Sequence, residues 1–85
     1  MVFVAKEKVR LYRGLQARNT TIFVAKARTF SSDVILTKNG KSSNGKEIMK
    51  VMDLNVNSGD DITLLVSGTD EQIAIHTLKD FLLNK

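Results

Sequence analysis

Gly14-Leu15-Gln16-Ala17-Arg18-Asn19-Thr20-Thr21 lies where the chain changes period. Upstream of it, Phe3, Ala5, Val9 and Leu11 fall in one alternating phase, the pattern of a strand with one buried face. Glu7 falls in the same phase, so either the strand bulges there or that end is exposed. Downstream, Phe23, Val24, Ala27 and Phe30 follow helical spacing, and a helix is expected from Ala17 to about Phe30. Gly14 permits a sharp turn between the two segments. The helix start leaves backbone N–H groups unpaired beside Arg18. Those groups and the helix dipole both favour an anion.

Working outward, Ser31-Ser32 breaks the helix and Val34-Ile35-Leu36-Thr37 reads as a β-branched strand. Lys38-Asn39-Gly40-Lys41 carries the Asn-Gly pair favoured in type I′ hairpin turns. The return strand, Ser42-Ser43-Asn44, is short and polar. A short helix from Glu47 to about Leu54 fits Ile48, Met49, Val51 and Met52. Asn57-Ser58-Gly59-Asp60 reads as a loop. Ile62, Leu64 and Val66 then alternate as a strand. A last helix runs from Asp70 or Glu71 to about Leu83, with Thr69 or Asp70 as N-cap and Gln72 in capping-box spacing to Thr69. The order is β-α-β-β-α-β-α. Interleaved helices and strands with one tight hairpin imply an α+β two-layer sandwich on a mostly antiparallel sheet.

The chain has 85 residues, 42% of them apolar, which implies a single domain over residues 1–85 with one modest core. It has no cysteine, so disulfides and thiolate metal sites are excluded. No apolar run reaches the length of a membrane helix, and the N-terminus lacks a signal-peptide layout. A cytoplasmic protein is the expectation. The net charge of +4 permits an acidic partner, but the lysines are spread rather than clustered.

Gly14-Leu15-Gln16-Ala17-Arg18 resembles the active-site turn of the HPr family, the small histidine phosphocarriers of the bacterial sugar phosphotransferase system. The family pattern is Gly-(Ile/Leu)-His-Ala-Arg-Pro. This chain departs from it at Gln16, for the histidine, and at Asn19, for the proline. Glutamine in the histidine position resembles Crh, the non-transporting branch. A second stretch, Asn44-Gly45-Lys46-Glu47-Ile48-Met49-Lys50-Val51-Met52, is similar to the family's Lys-Ser-Ile-Met-Gly-(Val/Ile)-Met. The serine of that pattern is the target of a regulatory kinase, and here it is Glu47. Lys50 replaces the family glycine and Asp53 its usual serine. The resemblance implies an HPr-like open-faced sandwich, with a four-stranded antiparallel sheet and three helices on one face.

The resemblance also assigns roles. The family histidine accepts phosphate through an imidazole nitrogen. A carboxamide nitrogen has its lone pair delocalised, so Gln16 implies loss of carrier activity at this position. Gln16 then presents polar surface to a protein partner, caps the helix, or is a residue drifting at a dead site. Arg18 matches the arginine that stabilises phosphohistidine. Its remaining uses are an acidic partner or an anion, against an ordinary solvated side chain. Asn19 in place of proline implies a looser turn. Glu47 is either a good first-turn residue, favoured by the dipole by about 0.3–1 kcal/mol, or a partial, permanent mimic of phosphoserine. Ile48, Met49 and Met52 match the family's exposed apolar patch, and exposed methionines suit adaptable binding surfaces. The alternative is core packing, expected at least for Val51.

The expected partner-binding set is therefore Gln16, Arg18, Thr21, Lys46, Ile48, Met49 and Met52, with Glu47 at the regulatory position. By resemblance, the partners are a LacI-type transcriptional regulator, phosphotransferase proteins or a metabolic enzyme. His76, the only histidine, lies off the apolar stripe of the last helix and is expected in solvent. Neighbouring Asp60 and Asp61 point to opposite faces of a strand, which disfavours a catalytic pair. Gly45-Lys46 lacks the rest of a phosphate-binding loop. No enzyme, metal or cofactor constellation stands out. Two rival functions remain: a degenerate HPr that docks on phosphotransferase proteins as a decoy, and nucleic-acid binding. No stacking aromatics are interleaved with the lysines, which argues against the second.

Overall fold

The computed structural model describes residues 2–85. Strand β1 (Phe3–Lys8) leads through the Gly14 turn into helix α1 (Ala17–Arg28). The hairpin of β2 (Asp33–Lys38) and β3 (Lys41–Asn44) follows, then α2 (Ile48–Asp53), β4 (Asp61–Ser67) and α3 (Glu71–Leu82). The four strands form one sheet in the order β1-β4-β2-β3, every neighbouring pair antiparallel.

Strand β4 is central, and its alternation builds the core. Ile62, Leu64 and Val66 are buried on the helix-covered face, while Thr63 and Leu65 are half-exposed on the other. Helix α3 packs over β1 and β4, α2 packs against β3, and α1 sits against both other helices. Phe23 of α1 is fully buried at the centre. Burying a phenylalanine contributes about 2–3 kcal/mol relative to leaving it exposed.

The pairing of β1 with β4 runs unbroken from Phe3 opposite Val66 to Lys8 opposite Asp61, so no bulge accommodates Glu7. Glu7 faces Ile62 at the end of the strand, where it is half-exposed. Val9 and Leu11 are buried beyond the strand end. Helix α1 stops at Arg28, short of Phe30, because its last turn tightens. The Thr29 amide donates to Lys26 O at 3.1 Å, and its hydroxyl donates to the same oxygen at 2.7 Å. Phe30 still packs against the core from outside the helix.

The N-terminus of α3 differs from the capping box expected there. Asp70 is the N-cap residue but makes no side-chain cap hydrogen bond. Its carboxylate instead accepts from the Ser31 amide at 2.9 Å, from the Ser32 amide at 3.0 Å and from the Ser32 hydroxyl. Glu71, not Gln72, reaches back to accept from the Gly68 amide at 3.0 Å. Asp70 thus ties the α1–β2 connection to the start of α3. The Ser32 hydroxyl, then the Ser31 amide, hold its carboxyl down from the usual 3.8 to about 2. A depressed folded-state pKa adds stability that is complete above the unfolded value and is lost as pH falls through the folded one. Asp70→Asn is therefore expected to destabilise the protein at neutral pH. The deficit should shrink below pH 3.8 and close near pH 2, read from urea midpoints across that range. A pH-independent deficit would show that the carboxylate charge is not what matters.

Candidate functional site

Gln16 occupies the N-cap position of α1 in an extended conformation, and its side chain does not cap the helix. Its amide Nε2 donates to Asn57 Oδ1 at 2.8 Å and approaches Asn55 Oδ1 at 3.4 Å. Those asparagines lie just past α2, so the side chain spans from the turn to the α2–β4 loop. That loop is itself fixed. The Asn57 amide donates to Asp60 Oδ2 at 2.7 Å, and Lys38 Nζ lies 2.8 Å from the same oxygen. Lys38 also donates to Asn55 O at 2.6 Å. The Lys38 ammonium, above all through its hydrogen bond, holds the Asp60 carboxyl below the usual carboxylate range.

The turn is held as firmly from within. Arg13, Gly14 and Ala17 have φ of 66°, 55° and 29°, all in the left-handed region that side chains disfavour. Asn19 offsets part of that strain. Its Nδ2 donates to Tyr12 O and to Gly14 O, each at 2.9 Å. The looser turn expected from asparagine in place of proline is therefore not what forms. A side-chain amide supplies two crosslinks in place of proline's fixed φ. Thr20, fully buried, donates its hydroxyl to Leu15 O at 2.6 Å, and the Leu15 amide donates to Val56 O at 2.9 Å.

Arg18 is exposed on the first turn of α1 and forms no ion pair among the described residues. Thr21, one turn on, is exposed, and its hydroxyl reaches Ala17 O at 3.3 Å. Helix α1 packs against α2, with the turn reaching the asparagines past the end of α2 and the start of the second motif, at Lys46, held against Arg28 and Phe30 at the end of α1. On α2, Met49 is 69% exposed and Met52 37%, while Val51 between them is fully buried. Ile48 is half-buried against the core. Lys46 is directed inward. Its Nζ donates to Phe30 O at 2.7 Å, and its carbonyl accepts from Arg28 Nε at 2.8 Å. Glu47 is exposed and is the N-cap residue of α2 rather than part of its first turn, with no side-chain cap bond. Ser43 is buried, its hydroxyl on Lys50 O at 2.8 Å, whereas Ser42 is exposed beside Thr37.

Two features of the site have no counterpart in the sequence reading. Asn55 and Asn57 orient Gln16 from about forty residues away, a link no local pattern announces. Tyr12 is 75% exposed, with the Arg13 guanidinium 5.4 Å from its ring centre. That pair lines a cleft together with Leu11, Gln16, Ala17 and Arg18. A lone tyrosine beside a glycine turn was the only available signal. His76 is solvent-facing as expected, 3.4 Å from Asp80 one helical turn on. Among the described residues, no three potential metal ligands gather, and no helix is long and apolar enough to cross a membrane.

Residues 5–84 match the family model for the PTS HPr component phosphorylation site. The HPr-like protein Crh of Bacillus subtilis (strain 168) is 49% identical over 73 residues, 86% of each chain. The HPr-like protein Crh of Halalkalibacterium halodurans is 44% identical over 75 residues, 88% of this chain and 89% of that one. The crystal structure of the phosphocarrier protein HPr from Bacillus anthracis superposes with a TM-score of 0.93 at 34% identity, covering 95% of this chain and 96% of that one. The family match and these relatives cover nearly the whole length, and the chain belongs to the HPr family of the phosphotransferase system.

Proposed function

We propose that this HPr-like protein is a regulatory binding module that does not relay phosphate through position 16. The observation that carries this reading is Gln16 itself. At the place of the family phosphohistidine stands a carboxamide with no nucleophilic nitrogen, its NH2 engaged by Asn57. What remains at the site suits recognition: a braced turn presenting Arg18 and Thr21, and exposed Met49 and Met52 on α2. The Bacillus subtilis relative Crh is a catabolite repression HPr. By that likeness, the partner is a LacI-type transcriptional regulator, another phosphotransferase protein or a metabolic enzyme, and the role lies in carbon catabolite regulation. Glu47 places a permanent carboxylate where the family carries its regulatory serine. No kinase can therefore switch that position.

The test is a pair of phosphorylation reactions read by intact mass, one with phosphoenolpyruvate and enzyme I, the other with ATP and HPr kinase. The expected result is no added phosphate in either. A phosphate gained from phosphoenolpyruvate would overturn the reading of Gln16 and direct attention to exposed His76. A phosphate gained from ATP would show that Ser42 or another hydroxyl has replaced position 47.

A further inference from the structure

A carboxamide has two unlike ends: its oxygen only accepts a hydrogen bond and its NH2 only donates. Which end of Gln16 faces the α2–β4 loop is therefore set by what the loop offers. The chain of constraints starts at a main-chain carbonyl, Asn55 O, which can only accept. It takes the Lys38 ammonium at 2.6 Å and Asn57 Nδ2 at 3.2 Å. That contact commits the NH2 of Asn57 to Asn55 and turns its Oδ1 towards the α1 turn. Only a donor can face that oxygen, and Gln16 Nε2 does so at 2.8 Å. Its second N–H is directed at Asn55 Oδ1, 3.4 Å away. Reversing Asn57 would set oxygen against oxygen at one end and NH2 against NH2 at the other.

The base of this chain is fixed. Lys38 also pairs with Asp60 at 2.8 Å, and Asp60 accepts from the Asn57 amide at 2.7 Å. The Gln16 NH2 is thus held inward. The Oε1 of this exposed side chain accepts from no group among the described residues. Around it the charge is of one sign. All four arginines of the chain lie between positions 10 and 28, and no aspartate or glutamate occurs between Glu7 and Asp33. Arg13 and Arg18, donors only, line the same cleft as Gln16.

We propose that Gln16 offers its Oε1 to the partner as a hydrogen-bond acceptor, so that the bound protein carries an N–H donor opposite position 16, flanked by carboxylates for Arg13 and Arg18. Asn57 is a positioning residue that acts through Gln16. A carboxylate placed opposite Gln16 would set oxygen against oxygen, and a partner seeking a donor there would find none. The partner half of the proposal rests on the reading of the turn as a binding surface; the direction of the carboxamide does not.

The direction is tested on the free protein, by solvent exchange of the side-chain NH2 protons in NMR spectra of the intact, isotope-labelled chain. Gln72 is the internal reference, exposed on α3. The Gln16 protons are expected to exchange roughly fivefold more slowly than those of Gln72, and Asn57→Ala should bring the two to the same rate. Equal rates in the unaltered protein would overturn the assignment. The polarity of the contact is read by titration against a LacI-type regulator and against enzyme I. Gln16→Glu keeps an outward oxygen and should stay within about threefold of wild-type affinity. Gln16→Lys offers only donors and should lose roughly tenfold or more, with Gln16→Met, which offers neither, in between. The reverse order, or wild-type affinity in Gln16→Lys while Met49→Asp binds weakly, would overturn the inference and leave the proposed function standing. Unchanged affinity in all of these variants, Met49→Asp included, would overturn the partner half of the inference together with the proposed function.

Discussion

Gly14→Ala is expected to cost about 3 kcal/mol or more of folding stability, a large share of what a small domain has. Two effects add. The residue sits at φ 55°, where any Cβ is strained by about 1–2 kcal/mol. The added methyl would also lie 2.4 Å from Val56 O and 2.7 Å from the Asn57 backbone. Those contacts are main chain and cannot swing aside as a side-chain end would. The turn and the α2–β4 loop would have to part, and the hydrogen bond from the Leu15 amide to Val56 O would go with them. Gly40→Ala is the control. It has positive φ but no neighbour within 4 Å, so its cost should stay near the conformational term alone, about 1–2 kcal/mol. Urea midpoints with unchanged slopes measure both. Equal losses in the two variants would mean that the close approach at Gly14 carries no energy.

The same junction shows what the sequence could and could not reveal. Strand β4 was legible because Ile62, Leu64 and Val66 each face one packed layer, and a two-residue period records that directly. Helix α1 was legible for the same reason at its own period, through Phe23, Val24 and Ala27. Its end was not, because Thr29 closes the last turn through hydrogen bonds that leave no mark on hydrophobicity. The polar links were the least legible. Asp70 has the composition of a helix cap, yet two serines from a distant connection claim its carboxylate. Asn19 loses proline's rigidity, yet its side chain restores it through Tyr12 O and Gly14 O. In each case the residue type was informative and its partner was set by tertiary structure. The family motifs located the candidate site because they mark positions. The bracing of Gln16 by Asn57 is a contact that only the folded chain shows.

Met49→Asp is expected to weaken partner binding roughly tenfold or more, a loss of about 1.4 kcal/mol or above, the scale of a hot-spot side chain. It should leave the fold intact. Met49 is 69% exposed, and exposed substitutions usually stay within about 0.5 kcal/mol. Val51→Asp, two residues along the same helix, buries a carboxylate at a position with no solvent access and should unfold the protein outright. Arg18→Glu supplies the electrostatic half of the test. It reverses the charge of an exposed side chain with no ion-pair partner among the described residues, so any loss it causes belongs to the partner's side of the interface. Affinities are read by titration against a LacI-type regulator and, separately, against enzyme I, with circular dichroism and urea midpoints as the folding control. Loss of binding to the regulator alone supports the catabolite-regulatory role, and loss to enzyme I alone supports a phosphotransferase decoy. Wild-type affinity in both Met49→Asp and Arg18→Glu would remove the turn and α2 from the binding surface. What each outcome means depends on the fold separating two neighbours, Met49 turned to solvent and Val51 turned to the core, on a helix only six residues long.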